Sequence, residues 1–140
     1  MKKYSFFLLI LPLLFSCSDS GFNNSNPFIP NYTFSIDVNM NLPAYSNLKF
    51  VSNAVYISGI GAKGIYVFCT APDNYNAFDA ACPNQALNSC SNMTLKGINI
   101  ICACDSKEYS LFTGQAQGGA QYPLKQYRVQ VNGNVLRVYN

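Results

Sequence analysis

The sequence predicts an all-β domain, an antiparallel β-sandwich or small barrel, and three observations lead to this prediction. Apolar and polar residues alternate strictly over residues 32–40, which is the period-two pattern of a half-buried strand. Near the C-terminus two alternating runs flank Asn132-Gly133, a pair typical of a type I′ hairpin turn. No stretch of useful length shows helical periodicity, and many short strands separated by turn residues are typical of sandwiches and barrels.

Runs rich in β-branched and aromatic residues give the predicted strands. In chain order they cover residues 32–40, 54–58, 64–69, 75–79, 97–102, 108–112, 127–131 and 135–139. Hydrophobic residues make up 49% of the chain, a share typical of globular rather than disordered proteins. We therefore predict one β domain over residues 32–140.

The N-terminal residues have the pattern of a secretory signal. Lys2 and Lys3 precede an apolar run over residues 6–15, and the small residue Ser16 comes directly before Cys17. The run is too short to cross a bilayer as a helix, because that takes ~20 residues. Residues 1–16 are therefore predicted to be a cleaved signal peptide.

The segment Leu14-Phe15-Ser16-Cys17 resembles the lipobox of bacterial lipoproteins, whose cysteine becomes the acylated first residue of the mature chain. This resemblance implies a lipid on Cys17 that anchors the protein in the cell envelope, at the outer membrane. The sequence leaves open whether the protein faces the periplasm or the cell surface. Residues 17–31 are rich in Ser, Asn, Gly and Pro and are predicted to be a flexible tether. The alternative is an ordinary signal peptide with Cys17 as a free thiol.

The charge balance argues against nucleic acid as a partner. Without Lys2 and Lys3 the chain keeps seven basic and six acidic residues. A surface that binds nucleic acid or membranes by charge needs a clustered excess of basic residues. We expect the lipid to provide membrane attachment and an envelope protein, whose identity the sequence does not give, to be the partner.

Six cysteines in an exported chain indicate disulfides. Assigning Cys17 to the lipid leaves an odd number, so at least one thiol stays unpaired. Cys69 ends an apolar strand and is expected to be an inert core residue. The remaining four are disulfide candidates that allow three pairings, and they are Cys82, Cys90, Cys102 and Cys104.

Two cysteine motifs carry a family resemblance. Cys82-x-Asn84, followed after seventeen residues by Cys102-x-x-Asp105, resembles the ligand pattern of the Rieske [2Fe-2S] family, Cys-x-His and Cys-x-x-His at similar spacing. Downstream residues follow the order of that family's second loop, glycine turn and proline-bearing third loop, and they are Tyr109, Thr113-Gly114, Gly118-Gly119-Ala120 and Pro123-Leu124. The resemblance implies a Rieske-like β domain with two cysteine-bearing loops.

The ligand histidines of that family are missing. A Rieske centre needs two thiolates on one iron and two imidazoles on the other, and this chain contains no histidine. Asn84 and Asp105 stand at the two imidazole positions, so a metal is not expected at Cys82, Asn84, Cys102 and Asp105. A cluster would have to recruit Cys90 or Cys104 as a ligand.

The resemblance implies disulfides in place of the metal. Cys82 and Cys102 match positions that converge on one iron, so their sulfur atoms are expected close enough to bond. Cys90 and Cys104 could then form a second bridge. We favour disulfides at these four cysteines without fixing their connectivity, because the sequence alone does not select among the three pairings.

These observations favour a non-redox binding or structural accessory protein of the cell envelope, without a cofactor. The alternative is an electron-transfer protein with a modified [2Fe-2S] cluster, and a third hypothesis is a thiol–disulfide protein in which Cys102 and Cys104 cycle. No catalytic residue is assigned, because general acid–base catalysis usually employs histidine or a carboxyl with a shifted pKa. The chain is therefore not predicted to be an enzyme, and at most to be a redox subunit.

Overall fold

The computed structural model describes residues 24–140, so the predicted signal peptide and Cys17 lie outside the described residues. In chain order the elements are β1 (Ser35–Asn39), a 3₁₀ helix (Ser46–Lys49), β2 (Ala54–Ile57), β3 (Ile65–Ala71), β4 (Asn74–Asp79), β5 (Met93–Lys96), β6 (Asn99–Cys102), β7 (Glu108–Ser110), β8 (Gln126–Asn132) and β9 (Val135–Tyr139). Six strands form an antiparallel sheet in the order β1-β9-β8-β4-β3-β2, and three form a second sheet in the order β5-β6-β7. The predicted all-β antiparallel class is confirmed. Over residues 24–140, no helix has the length and apolar character needed to cross a membrane.

The core has two parts, one on each face of the larger sheet. The side chains of β3 alternate between them: Ile65 and Val67 belong to a cluster with residues of β8 and β9, whereas Tyr66 and Phe68 belong to a cluster shared with the smaller sheet. That shared cluster, which we call the intersheet core, also contains Phe78, Cys82, Met93, Ile100, Cys102 and Tyr109. Two of the motif cysteines are therefore core residues between the two sheets.

The C-terminal hairpin turns one residue later than the sequence predicts. Asn132 still pairs with Val135, so the two loop residues are Gly133 and Asn134. Of these only Gly133 has a positive φ, +62°. A glycine at the first central position is the pattern of a type II′ turn rather than type I′. The prediction of Asn132-Gly133 as the turn was therefore wrong by one residue.

The last part of the predicted tether lies against the domain instead of extending from it. Ile29 is 1% exposed, and the ammonium group of the buried Lys125 donates hydrogen bonds to the Asn24 carbonyl, at 2.7 Å, and to Asn31 Oδ1. A buried charged group needs hydrogen-bond acceptors, and residues 24–31 provide them. Residues 24–31 of the predicted tether are therefore docked on the domain, and its residues 17–23 lie outside the described residues.

Two fully buried tyrosines predict a loss of stability in alkali. Burial is the main factor that raises the pKa of both Tyr109 and Tyr127. Above about pH 10 the tyrosines of the unfolded chain lose protons that the folded chain keeps, so each lowers the free energy of unfolding by up to about 1.4 kcal/mol per pH unit. Urea unfolding midpoints measured from pH 9 to pH 11 are expected to fall.

Tyr127→Phe is the control for this prediction. The variant is less stable at neutral pH because a hydrogen bond is lost, but its midpoint should fall less steeply between pH 10 and pH 11. Burial lowers the pKa of Lys125, so below the ordinary pKa of lysine this residue makes the free energy of unfolding rise with pH. Lys125 is present in both the unmodified protein and Tyr127→Phe, so its effect cancels when their slopes are compared. Identical slopes would contradict the assignment to Tyr127.

Candidate functional site

The candidate site lies where two loops meet beside the intersheet core. The first cysteine loop comprises residues 80–92, between β4 and β5, and the second comprises residues 103–107, between β6 and β7. Backbone hydrogen bonds close the first loop at its base, from Cys82 N to the Ser91 carbonyl at 2.8 Å and from Met93 N to the Ala80 carbonyl at 2.8 Å. The loop thus leaves and re-enters the sheets at neighbouring points, which fixes the direction of Cys82.

The second cysteine loop is a tight turn. Ser106 has a φ of +60°, and its N–H donates to the Cys102 carbonyl at 2.9 Å. Cys102 N in turn donates to the Lys107 carbonyl at 2.9 Å. This turn places Cys102 and Cys104 on the side of the second cysteine loop that faces the first cysteine loop.

The structure joins the four motif cysteines in two disulfides, in the pairing that the Rieske resemblance implies. Cys82 bonds to Cys102 with a Cα–Cα distance of 5.5 Å, and Cys90 bonds to Cys104 with a Cα–Cα distance of 5.1 Å. Both distances are ordinary for disulfides. We call the first the inner cystine and the second the outer cystine.

The two cystines differ in exposure and lie side by side. Cys82 and Cys102 are 1% and 0% exposed, whereas Cys104 is half-buried and Cys90 is exposed. The Sγ atoms of Cys82, Cys102 and Cys104 all lie within 4.8 Å of one another. A solvent thiol can therefore reach the outer cystine far more easily than the inner one.

Asn84, at the first imidazole position, links the first cysteine loop to the chain that follows β7. Its Nδ2 donates to the Tyr122 carbonyl at 2.7 Å and to Tyr109 Oη at 2.9 Å. Its Oδ1 accepts a hydrogen bond from Tyr122 N at 2.8 Å. Both ends of the amide are thus engaged in holding loops together.

Asp105, at the second imidazole position, stabilises its own turn. Its Oδ1 accepts a hydrogen bond from Lys107 N at 3.0 Å, which is the geometry of an Asx turn. Its other oxygen lies 3.7 Å from Lys107 Nζ. This carboxylate serves local structure.

These residues do not fit a Rieske cluster. In the structure all four motif cysteines are in disulfides, and a disulfide sulfur is not a thiolate ligand. Asn84 and Asp105, which stand where the sequence resemblance places imidazoles, are both engaged by neighbouring backbone groups. Iron ligation by four cysteines of this site would first require the reduction of both cystines.

Two further side chains contact the cystine sulfurs, and the sequence analysis did not identify them. Gln85 Nε2 donates to Cys102 Sγ at 3.3 Å. Asn88 Oδ1 lies 3.0 Å from Cys90 Sγ and 3.4 Å from Cys104 Sγ. The available signal was the position of Asn88 two residues before Cys90, because Asn often accepts a hydrogen bond from the backbone two residues on, as it does here from Cys90 N at 2.9 Å.

The chain that enters the first cysteine loop is fixed by Asp79. This carboxylate is 0% exposed, and it accepts hydrogen bonds from Ala62 N at 2.7 Å, Ala81 N at 2.8 Å and Tyr127 Oη at 2.7 Å. Gly61 has a φ of +65°, and a Cβ there would collide with the Asp79 carboxylate. Asp79 therefore holds the start of the loop in a structural role.

Cys69 lies in the core, as the sequence predicts. It is 1% exposed and is the free cysteine of residues 24–140. Burial is the main factor that raises the pKa of its thiol. A buried thiol with a raised pKa is a poor nucleophile.

A groove elsewhere on the domain offers no catalytic group. It runs beside β1 and β9 and is lined by Thr33, Phe34, Ser35, Gln130, Arg137, Tyr139 and Asn140. The charged residue in this lining, Arg137, is paired with Asp37 at 2.9 Å. The chemistry of the described residues is thus concentrated at the two cystines.

No family model matches the chain, and no curated protein matches it. Solved structures are similar at low identity. A chain of the complex of reduced oxygenase and oxidised ferredoxin in carbazole 1,9a-dioxygenase is 18% identical, with 76% of this chain and 92% of that chain covered and a TM-score of 0.49. The ferredoxin of carbazole 1,9a-dioxygenase from Nocardioides aromaticivorans IC177 is 15% identical, with 64% and 86% covered and a TM-score of 0.43. The E. coli protein NirD is 14% identical, with 78% and 98% covered and a TM-score of 0.47.

Proposed function

We propose that this chain is an exported lipoprotein that serves the cell envelope as a binding or structural accessory, with cystines in place of an iron–sulfur cluster. The observation that carries the proposal is the state of the motif cysteines, all four of which are engaged in the inner and outer cystines. The chain has no histidine to replace them as a ligand. In this proposal the domain transfers no electrons through a cluster.

The contacts at the site support a structural role for the cystines. The inner cystine lies in the intersheet core, so it ties the smaller sheet to the larger one. The outer cystine and the Asn84 hydrogen bonds then fix the two cysteine loops and Tyr122 relative to each other. Loops that are already rigid suit a binding module, because few of their residues lose conformational freedom when a partner binds.

The location is part of the proposal and rests on the sequence. The lipobox-like segment ending at Cys17 supports a lipid anchor in the outer membrane, and the small net charge supports a protein partner rather than nucleic acid. Mass spectrometry of the N-terminal peptide should show processing before Cys17 and a mass increase from acyl chains. An unprocessed or unacylated N-terminus would overturn the anchor.

A second candidate is an electron-transfer protein with a modified [2Fe-2S] cluster. The proximity of the Cys82, Cys102 and Cys104 sulfurs, within 4.8 Å, favours it, since reduced cysteines at such spacing could share a metal. Two of the solved structures described above carry the name ferredoxin, which agrees better with this candidate than with the first. Their TM-scores are below 0.5, so the name does not decide between the two.

Iron content and free thiols distinguish the candidates. The full chain, produced with its own signal in an export-competent bacterium and extracted in detergent, is expected to be colourless and free of iron and acid-labile sulfide. In denaturant it should show one reactive thiol, Cys69, because the inner and outer cystines hold the other four and Cys17 carries the lipid.

The second candidate predicts the opposite result. About two irons and two sulfides per chain, the content of one [2Fe-2S] cluster, would overturn the accessory proposal. The colour of such a preparation should then vanish in Cys82→Ser and persist in Cys69→Ser. Cys69→Ser is the matched control because it removes a cysteine outside the site.

A further inference from the structure

We infer that the two cystines form a thiol–disulfide exchange relay, in which Cys104 passes reduction from the exposed outer cystine to the buried inner one. This activity goes beyond the proposed accessory role and does not depend on it. The co-reactant is a dithiol, either a small molecule or the dithiol site of an exported protein.

The two cystines are arranged in series from the surface to the core. The inner cystine has almost no exposed surface, at 1% for Cys82 and 0% for Cys102, so an external thiolate has no approach to it. The outer cystine offers the exposed Cys90. Reduction from outside must therefore begin at the outer cystine, of which Cys90 is the more exposed member.

Cys104 lies next to the inner cystine. Its sulfur lies within 4.8 Å of both sulfurs of the inner cystine, so little movement separates it from a bonding contact. Cys90 is not part of that group of three sulfurs. Of the two outer cysteines, Cys104 is therefore the one placed to attack the inner cystine.

A hydrogen-bond donor lies beside Cys102, the leaving group of the exchange. Exchange is faster when the departing thiolate is stabilised, and Gln85 Nε2 already donates to Cys102 Sγ at 3.3 Å. A hydrogen bond to a thiolate is stronger than one to a neutral sulfur. Attack on Cys82 with departure of Cys102 is thus favoured, and it avoids the small strained ring that a bond between Cys102 and Cys104 would close.

A thiolate of the dithiol attacks Cys90 Sγ and forms a mixed disulfide, while Cys104 leaves as a thiolate. The second thiol of the dithiol resolves the mixed disulfide, so that the dithiol is oxidised to its disulfide and Cys90 takes up a proton. Cys104 then attacks Cys82, the bond from Cys82 to Cys102 breaks, and Cys102 leaves as a thiolate that takes up a proton.

The net result is the transfer of two electrons and two protons from one dithiol to the protein. The new bridge joins Cys82 to Cys104, and Cys104 is half-buried, so its sulfur is open to a second dithiol. Attack there releases Cys82 and completes the reduction of both cystines. Asn88 Oδ1, 3.0 Å from Cys90 Sγ, is placed to accept a hydrogen bond from the Cys90 thiol once it forms.

Two single variants test the relay as a matched pair, because each removes the outer cystine and leaves one of its thiols. In Cys90→Ser the Cys104 thiol remains, and in Cys104→Ser the Cys90 thiol remains. Under native conditions with dithiothreitol, the inner cystine should be reduced at least about tenfold faster in Cys90→Ser, since only that variant keeps the attacking sulfur. Alkylation and peptide mapping should also find the bridge from Cys82 to Cys104 in Cys90→Ser.

The relay would be overturned if the inner cystine were reduced at equal rates in the two variants and if no bridge from Cys82 to Cys104 formed in Cys90→Ser. The unmodified protein provides a check that does not depend on how the variants fold. After about one equivalent of dithiothreitol and rapid acid quenching, alkylation should label Cys90 and Cys102 in part of the molecules. Labelling confined to Cys90 and Cys104 would show that no exchange occurs and would overturn the proposal, while leaving the accessory role untouched.

Discussion

Replacing Asp79 by alanine is expected to lower the free energy of unfolding by about 3–5 kcal/mol, because several buried donors lose their acceptor at once. The donors are Ala62 N, Ala81 N and Tyr127 Oη, all within 2.8 Å of the carboxylate, with Lys63 N at 3.3 Å. The carboxylate itself is 0% exposed, so water cannot replace it without opening the structure. Urea unfolding followed by circular dichroism measures the loss.

Asp37→Ala is the control for Asp79→Ala. Asp37 also accepts hydrogen bonds, from Arg137 at 2.9 and 3.2 Å, but both partners lie on the surface. Exposed ion pairs contribute little to stability, so the unfolding midpoint of this variant should stay near that of the unmodified protein. Equal losses in the two variants, or an unchanged midpoint for Asp79→Ala, would contradict the role assigned to the buried carboxylate.

Removing the inner cystine by Cys82→Ala together with Cys102→Ala is expected to cost about 4 kcal/mol. The bridge spans 20 residues, and the loss of such a cross-link from the unfolded chain is worth roughly 3 kcal/mol. The remainder comes from the space left in the intersheet core. Hydrogen exchange should show the larger loss of protection in the strands β5, β6 and β7, which the cystine ties to the larger sheet.

The matched variant removes the outer cystine by Cys90→Ala together with Cys104→Ala. This bridge spans 14 residues, so the loss from the unfolded chain is similar, roughly 3 kcal/mol. Because Cys90 is exposed and Cys104 is only half-buried beside the intersheet core, the space left is smaller, and the protection of the smaller sheet should be largely kept. Unchanged protection of that sheet in the inner double variant would contradict the role of the inner cystine in joining the sheets.

Strands with an apolar face could be predicted from the sequence, and strands without one could not. The alternation over residues 32–40 contains β1, and the runs at residues 54–58 and 75–79 overlap β2 and β4 closely. β5 was not predicted, because three of its four residues are exposed and it therefore has no buried face to produce a pattern. The packing of residues 24–31 against the domain was not predicted either, because the acceptors for Lys125 near Asn24 are neutral residues of a loop.

The cysteines of the candidate site could be predicted from the sequence, but the contacts around them could not. The motif spacing identified the cysteine positions, and the missing histidines argued against the usual cluster. The burial difference between the inner and outer cystines, and the contacts of Gln85 and Asn88 with the sulfurs, depend on how the two loops fold against each other. Such contacts between distant segments leave no local signal in the chain.

The docking of the N-terminal segment determines how far the cysteine loops can stand from a bilayer. Asn26 Nδ2 donates to the Pro83 carbonyl at 2.9 Å, so the docked segment passes beside the first cysteine loop. Six residues lie between Cys17 and Asn24, which is itself docked, and these seven steps reach about 25 Å when fully stretched. If Cys17 carries the proposed lipid, this short segment keeps the first cysteine loop close to the lipid headgroups, and we expect any partner of the cystines to be a membrane protein or to work close to the membrane surface.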